Sequence, residues 1–430
     1  MKKFIRSFVA VVFAVALACL FACAPVGQGG SGGQSSSVEK PVGRSIDLMA
    51  GYTPSISTTV SVDEAYSSAY NAFAAKLFKS LYEGKSELIS PLSIEIALSM
   101  TANGAKGDTL TEMQNVLFDG ADINAFNAYF KAYIASITAV DDVSVSIADS
   151  IWFKDDPYFN VVEDFLQTNA DYYGAGAYKA PFDDETLAEI NGWVKYNTDG
   201  MIDKILESID KDAIMYLINA LLFDAKWSDQ FESATEDVFK KENGTTTTAD
   251  YLWGNVNGYY ENEYAEGFAK PYGNGRFAFC AMLPKDGVSM SQLVSSLDGN
   301  ALSAYFSDVA EKDAVYFKMP KFKLDYEADL NDCLCALGMP TAFNGLYADF
   351  SGLGTYADTN LYIGFVKHKT AIEVTEAGTK AAAVTIVAIE KNASVEVPSK
   401  RHYVYLDRPF IYFILDTETD TPLFMGAYNG

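Results

Sequence analysis

Glu376-Ala377-Gly378-Thr379-Lys380-Ala381-Ala382-Ala383-Val384-Thr385-Ile386-Val387-Ala388-Ile389 reads as a strand waiting for a sheet. It opens near a glycine, whose backbone is permissive, passes through small residues and becomes strongly strand-prone. Side chains alternate across a strand with a period of two. One face then carries Thr379, Ala381, Ala383, Thr385, Val387 and Ile389, all small or apolar and suited to burial. The other face carries Lys380 and Glu390 at its ends. A solvated loop has no need of this pattern.

The flanking sequence supplies the sheet. Strand patterns occur at Phe277–Leu283, Ala314–Tyr326 and Leu361–Val374 before the segment, and at His402–Leu406, Phe410–Leu415 and Leu423–Tyr428 after it. Val143, Val145 and Ile147 alternate with polar residues. Met215 to Phe223 is nearly continuous apolar sequence, as in a strand buried on both faces. Helices dominate the earlier part. Ser61-Val62-Asp63-Glu64 is a capping box, opening a helix with Tyr66, Tyr70, Phe73, Leu77 and Leu81 at helical spacing. Ser90-Pro91 is a cap followed by proline at the first helical position, continued by Leu92, Ile96 and Met100. Thr109-Leu110-Thr111-Glu112 is a further capping box. Helices mainly first and strands mainly last, without βαβ alternation, predict one large α+β domain over residues 61–430.

Composition narrows the function. The chain has 430 residues, with 57 acidic against 32 basic side chains and a net charge of -25. Such a surface repels phosphate backbones, which argues against nucleic acid as a partner. Only two histidines are present, His368 and His402. That counts against His-rich metal sites and against a serine or cysteine triad, which needs a positioned imidazole. The sequence has no His-Glu-x-x-His, Walker loop or dinucleotide fingerprint, so neither metal nor cofactor is expected.

The amino terminus reads as an address. Lys2, Lys3 and Arg6 precede an apolar run from Phe8 to Phe21, short for a membrane span. Leu20-Phe21-Ala22-Cys23 resembles the lipobox of bacterial lipoproteins, with Ala16-Leu17-Ala18-Cys19 as a weaker candidate and an ordinary secretory signal as the alternative. Ala24 to Lys40, rich in Gly, Ser, Gln and Pro, makes a flexible tether. The lipobox resemblance implies a signal over residues 1–22, a lipidated Cys23 with its linker over 23–60, and a domain held outside the cell at the outer face of a bacterial membrane. Residues 1–22 carry three basic and no acidic side chains, so their removal takes the charge to -28. Cys280, Cys333 and Cys335 are expected to be buried apolar thiols.

In this order, the motifs resemble those of the serpins, over nearly everything from Asp63 to Gly430. The likeness is carried by Ser90-Pro91-Leu92-Ser93-Ile94, Gly104-Ala105-Lys106-Gly107-Asp108-Thr109, Ile190-Asn191-Gly192-Trp193-Val194 and Leu217-Ile218-Asn219-Ala220 through Lys226-Trp227. It continues through Met319-Pro320-Lys321-Phe322, Asp349-Phe350-Ser351-Gly352, His368-Lys369, Glu376 to Thr385, Arg408-Pro409-Phe410 and Leu423-Phe424-Met425-Gly426. Ser86 and Met201 depart from the family pattern, standing where Asn and Lys are common.

The resemblance implies a serpin fold, about eight or nine helices around three β-sheets, with an exposed reactive-centre loop over about 376–400. It implies an irreversible inhibitor, not an enzyme: a serine protease, or a cysteine protease, acylates itself on the loop, which then inserts into the main sheet. The hinge comprises Glu376, Gly378, Thr379, Ala381, Ala382, Ala383 and Thr385. Ser90, Ser93, Asn219 and His368 form a polar shutter behind the sheet. Trp227, Lys321 and Glu376 form the breach, the place where the loop enters. The family spacing of about sixteen residues beyond Glu376 puts the reactive bond at Asn392–Ala393, with Lys391 as the alternative. Small and β-branched residues from Ile386 to Val397 favour an elastase-like or subtilisin-like target; Lys391 would suit a trypsin-like one. The chain is expected to act as a monomer and to meet a membrane only through its lipid. A non-inhibitory serpin, acting as a binding or chaperone-like protein, is the alternative.

Overall fold

The computed structural model describes residues 43–55, 64–211, 213–299, 302, 310–357, 359–379 and 400–430. The first elements are β1 (Ile46–Asp47), α1 (Glu64–Leu81), β2 (Glu87–Ile89), α2 (Pro91–Ala102), α3 (Gly107–Leu117), α4 (Ile123–Thr138), β3 (Val143–Lys154), β4 (Phe159–Val161), α5 (Glu163–Tyr172), β5 (Gly176–Ala180) and α6 (Asp184–Asn197). Next come β6 (Met215–Lys226), β7 (Ala234–Lys240), β8 (Thr246–Glu261), β9 (Ala265–Pro271), β10 (Phe277–Pro284), α7 (Met290–Ser296), β11 (Ala310–Pro320), β12 (Phe322–Asp329) and α8 (Asn331–Leu337). The last are β13 (Gly354–Tyr356), β14 (Lys367–Val374), β15 (Gly378–Thr379), β16 (Arg401–Tyr405), β17 (Phe410–Asp416) and β18 (Thr421–Tyr428). The described residues thus form an α+β fold of eight α-helices and three sheets.

One sheet has seven strands in the order β1-β5-β3-β6-β15-β14-β12. A nine-stranded sheet runs β16-β11-β8-β9-β10-β17-β18-β2, with β7 also on β8, and β13 pairs with β4. The main core lies between the two large sheets and around α2, whose every residue from Pro91 to Ala102 is buried. A smaller cluster, including Trp152, Phe182, Ile190, Val194 and Tyr216, fills the other face of β3 and β6 beneath α6.

The seven-stranded sheet is nearly parted in the middle. β6 is laddered to β3 from Met215 to Ala225, and β14 to β12 from Lys367 to Val374. Between them, among the described residues, lies only β15, whose Gly378 and Thr379 pair with Lys226 and Ala225, and whose Thr379 pairs with Val374. Among the described residues no ladder joins β6 directly to β14. At the sheet's edge, β1 pairs with β5 through Ile46 and Asp47. Arg44 is ion-paired to Asp183 and Glu185, and its backbone N–H donates to Glu189 Oε1 at 2.8 Å.

Several sequence expectations shift. The Ala314–Tyr326 pattern divides at Lys321 into β11 and β12, which belong to different sheets. Residues 361–366 are irregular, and the strand starts at Lys367. The Thr109 capping box is not used: α3 opens three residues earlier, after Lys106, without a side-chain cap. Tertiary contacts take both side chains instead. Thr109 Oγ1 accepts from the Asp349 N–H at 2.9 Å, and the Glu112 carboxylate accepts from the Thr341 N–H and hydroxyl at 2.9 and 2.7 Å. The Ser61 cap lies outside the described residues. Cys280 and Cys333 are buried, but Cys335 is partly exposed. Two residues apart on α8, Cys333 and Cys335 point about 200° apart, so both cannot face the core.

Candidate functional site

The site begins at a backbone crossing too close for any side chain. A Cβ at Gly378 would lie 2.1 Å from the Ala225 carbonyl oxygen and 2.7 Å from Lys226 Cα. Only glycine lets β15 slip beside β6 here. The turn before it is closed by Thr375, whose N–H and hydroxyl donate to the Gly378 carbonyl at 2.9 and 3.0 Å. Trp227 holds the turn from the side: its backbone N–H donates to the Ala377 carbonyl at 3.0 Å and its indole N–H to the Thr375 carbonyl at 2.9 Å. The indole stacks on Tyr272, with centroids 4.3 Å apart and planes 13° from parallel. Phe231 N–H donates to the Glu376 carbonyl at 3.0 Å.

Lys321 Nζ donates to Glu376 Oε1 at 2.8 Å, so the structure brings Trp227, Lys321 and Glu376 together. Burial pushes the Glu376 carboxyl up, but the Lys321 ammonium and Glu376's own N–H outweigh it and hold it below the usual range. A part-exposed pair of this kind is worth about 1 kcal/mol or less. Its value lies in fixing where the chain turns; stacking and backbone hydrogen bonds do the holding.

Thr379 is only 2% exposed, and its hydroxyl is hydrogen-bonded to the Tyr272 hydroxyl. Beneath it is a cavity of about 10 Å³, lined by Met201, Phe223, Ile372, Thr379, Ile414 and Phe424. That is at the lower limit for one water, and the lining is apolar apart from the Thr379 hydroxyl. Met201 thus lies against the cavity below the inserted residues.

Farther along the parting, β14 is tied to α2. The Ser90 N–H donates to His368 Nε2 at 3.1 Å, and Ser90 Oγ donates to the Leu423 carbonyl at 2.8 Å. Ser93 joins through its N–H, which donates to Ser90 Oγ at 3.3 Å and caps the helix. Burial drives the His368 pKa down to about 3, so the ring is neutral with Nε2 free to accept. Asn219 is not drawn into this group: its amide Nδ2 donates to Asp149 Oδ1, across the β3–β6 ladder. Asn219 thus has Asp149 as its partner, in place of Ser90, Ser93 or His368. The residue facing Asn219 on β3 is an acid, and a carboxylate acceptor outcompetes neutral partners. Burial raises Asp149 to about 7 against the lowering effect of Asn219.

A second buried acid, Glu95 on α2, is 0% exposed, and neither carboxylate oxygen has a hydrogen-bond partner among the described residues. Desolvation holds it well above the carboxylate range.

Ala381, Ala382, Ala383, Thr385, Lys391, Asn392, Ala393 and Cys23 lie outside the described residues. Sequence reasoning missed Tyr272 and Asp149. Nothing local marks Tyr272, which follows Lys270-Pro271 like any aromatic. Asp149 was readable: it shares strand parity with Val143, Val145 and Ile147, an acid on an inward face.

A family model described as serpin, serine protease inhibitor, matches residues 68–430. A serpin-like protein of Thermococcus kodakarensis is 31% identical over 83% of this chain and 84% of its own. Among solved structures, the thermophilic serpin tengpin in its native state is 39% identical, with a TM-score of 0.84 over 90% of this chain and 99% of its own. Tengpin in its latent state is 38% identical, with a TM-score of 0.77 over 87% of this chain and all of its own.

Proposed function

The chain belongs to the serpin family, and from that premise we propose that it is an irreversible suicide-substrate inhibitor of serine proteases, elastase-like or subtilisin-like by preference. The observation that carries this reading is β15: two hinge residues already stand between β6 and β14, above a stretch with no ladder of its own. By sequence parity the next residue of the same face, Ala381, carries a single methyl, small enough for insertion between closely packed strands. The higher TM-score to a relative in its native state supports a molecule seen before full insertion.

In this reading the protease supplies the chemistry. Its serine oxygen adds to the Asn392 carbonyl, the Asn392–Ala393 C–N bond breaks, and the serine proton ends on the new Ala393 amine. An ester then joins Asn392 to the enzyme. The freed loop enters between β6 and β14, completing ladder hydrogen bonds and dragging the enzyme before water can release it. No catalytic base of this chain is required, and none of its residues acts as a catalyst.

A panel of elastase, subtilisin and trypsin, run on denaturing gels, tests this. Covalent complexes are expected with the first two, and mass spectrometry should find a released peptide beginning at Ala393. A peptide beginning at Asn392 would assign the bond to Lys391 and a trypsin-like target. Absence of complexes with any serine or cysteine protease would favour the binding or chaperone-like alternative.

We place the mature protein outside the cell, held as a monomer by a lipid on Cys23, with no other membrane contact and no nucleic acid partner. Labelling with a palmitate analogue should mark the wild type and not Cys23→Ala; undiminished label on that variant rules the site out.

A further inference from the structure

Two lysines are buried among the described residues, Lys270 and Lys318, and their surroundings differ. Lys318 has its counter-ions: Asp237 and Asp407 stand 2.7 and 3.4 Å from its ammonium. Lys270, on β9, is 3% exposed, and no hydrogen bond or ion pair holds it among the described residues. Its ammonium lies 5.1 Å from the centre of the Phe231 ring. Desolvation lowers its pKa, against the raising effect of Asp229. Lysines are almost never fully buried unless paired, because a ring face returns only part of the hydration that a buried charge gives up.

The strands explain how the lysine comes to be there. Lys270 shares parity with Phe268, which stacks on Phe317 at 4.2 Å, so it continues an apolar row. On β8, Gly254 leaves room beside that row: a Cβ there would lie 2.8 Å from the Phe317 ring and 3.0 Å from the Phe231 ring. A lysine that only packs its stem sends its head to open water. Lys270 instead lines a recess of about 400 Å³, together with Asp229, Phe231, Glu232, Trp253 and Asn255. The recess borders the breach, where Phe231 meets Trp227 edge-on at 6.0 Å.

The charges of the recess are graded. Its buried end carries the ammonium, and its exposed end carries Asp229 and Glu232. Neither carboxylate has a hydrogen bond or ion pair among the described residues, and both are too far from Lys270 to pair with it.

That gradient selects a ligand. An unpaired buried ammonium calls for a carboxylate. The volume is far larger than a bare ion needs and lies within the range of small-molecule sites. Phe231 and Trp253 offer apolar walls. The exposed acids repel phosphates and dicarboxylates and answer a positive group. The fitting molecule carries opposite charges at the two ends of a short apolar body.

We propose that this recess binds a free di- or tripeptide with an apolar side chain, its carboxylate on Lys270, its amino group toward Asp229 and Glu232, and its side chain against Phe231 and Trp253. The proposal does not depend on the protease-trapping reading.

Calorimetric titration of the purified protein with glycyl-phenylalanine tests it. A Kd on the order of 0.1–1 mM is expected for a ligand of this size. The amide of the dipeptide, which lacks the carboxylate, should bind roughly tenfold or more weakly, and Lys270→Met should weaken the dipeptide by the same factor. The double variant Asp229→Asn/Glu232→Gln, whose side chains are exposed and spare the core, should weaken the dipeptide but leave its N-acetyl form unchanged. That contrast reads the amino-group contact even where Lys270→Met does not fold. Absence of binding at about 10 mM dipeptide overturns the site. A folded Lys270→Met that binds as wild type does overturns the role of the ammonium. Inorganic phosphate binding as tightly as the dipeptide would make the recess a bare anion site and overturn the peptide.

Discussion

On the protease-trapping reading, Thr379→Arg is expected to turn the inhibitor into a substrate: the loop is still cut, but covalent complexes fall by roughly a hundredfold, the factor that about 3 kcal/mol produces. Thr379 sits 2% exposed between β6 and β14, bonded to Tyr272, over an apolar cavity. A guanidinium there has no carboxylate to meet. An unpaired buried charge costs about 3–5 kcal/mol, so the hinge stays outside the sheet. Cleavage then proceeds without insertion, and water completes hydrolysis. Gly378→Ala acts at the same point through sterics, because its methyl meets the Ala225 carbonyl. Denaturing gels and the moles of inhibitor consumed per enzyme measure both. Thr379→Arg complexes as abundant as wild type would mean that insertion does not begin here.

His368→Gln and Asp149→Asn are expected to tilt the pH dependence of stability in opposite directions. The folded-state pKa of His368 is depressed to about 3. Its contribution is therefore present above the ordinary histidine value and lost as pH falls toward 3, because the unfolded chain binds the proton first. Asp149 is raised to about 7, so its contribution is present below the ordinary aspartate value and lost as pH rises through 7. Between about pH 4 and 6.5 the two oppose each other, each with a slope near 1.4 kcal/mol per pH unit. Wild type also carries the slope of the buried Glu95 over that window, so each variant is read as a difference from it. His368→Gln, keeping only the acid, should gain stability as pH falls, by about 2–3 kcal/mol over two units. Asp149→Asn should lose a similar amount, because His368 stays neutral in the fold while the unfolded chain takes up the proton. Urea midpoints of the native state at pH 4.5, 5.5 and 6.5 decide. Parallel profiles for all three proteins would refute the opposition.

Only the start of the hinge can be compared: Gly378 and Thr379 stand between β6 and β14, while the small residues at alternate positions beyond them, Ala381 and Ala383, lie outside the described residues. The polar group behind the sheet was legible by residue type but not by partner. A resemblance transmits Asn219 as an amide; it does not say that Asp149 faces it across a ladder. Local rules failed where tertiary contacts outbid them, as when Asp349 and Thr341 claimed the side chains of the Thr109 box. The exposure of Trp253, Tyr316 and Tyr403 was invisible for a related reason. Alternation puts Tyr403 and Tyr405 on one face of β16, but which face meets solvent is set by β11, distant in sequence.

The strand β1 has a consequence for encounters between copies of this chain. It occupies the hydrogen-bonding edge of β5, while the opposite edge strand, β12, shows Lys323, Asp325, Glu327 and Asp329 to solvent. Capped at one margin and charged at the other, the sheet resists strand addition from outside. Among the described residues, the place left for a foreign strand is the parting between β6 and β14, where it must compete with the chain's own hinge. A segment linked by a short stretch of backbone is present at an effective concentration in the millimolar range. Copies reach that only when crowded, so in dilute solution intermolecular linkage through this sheet loses to the molecule's own loop by mass action.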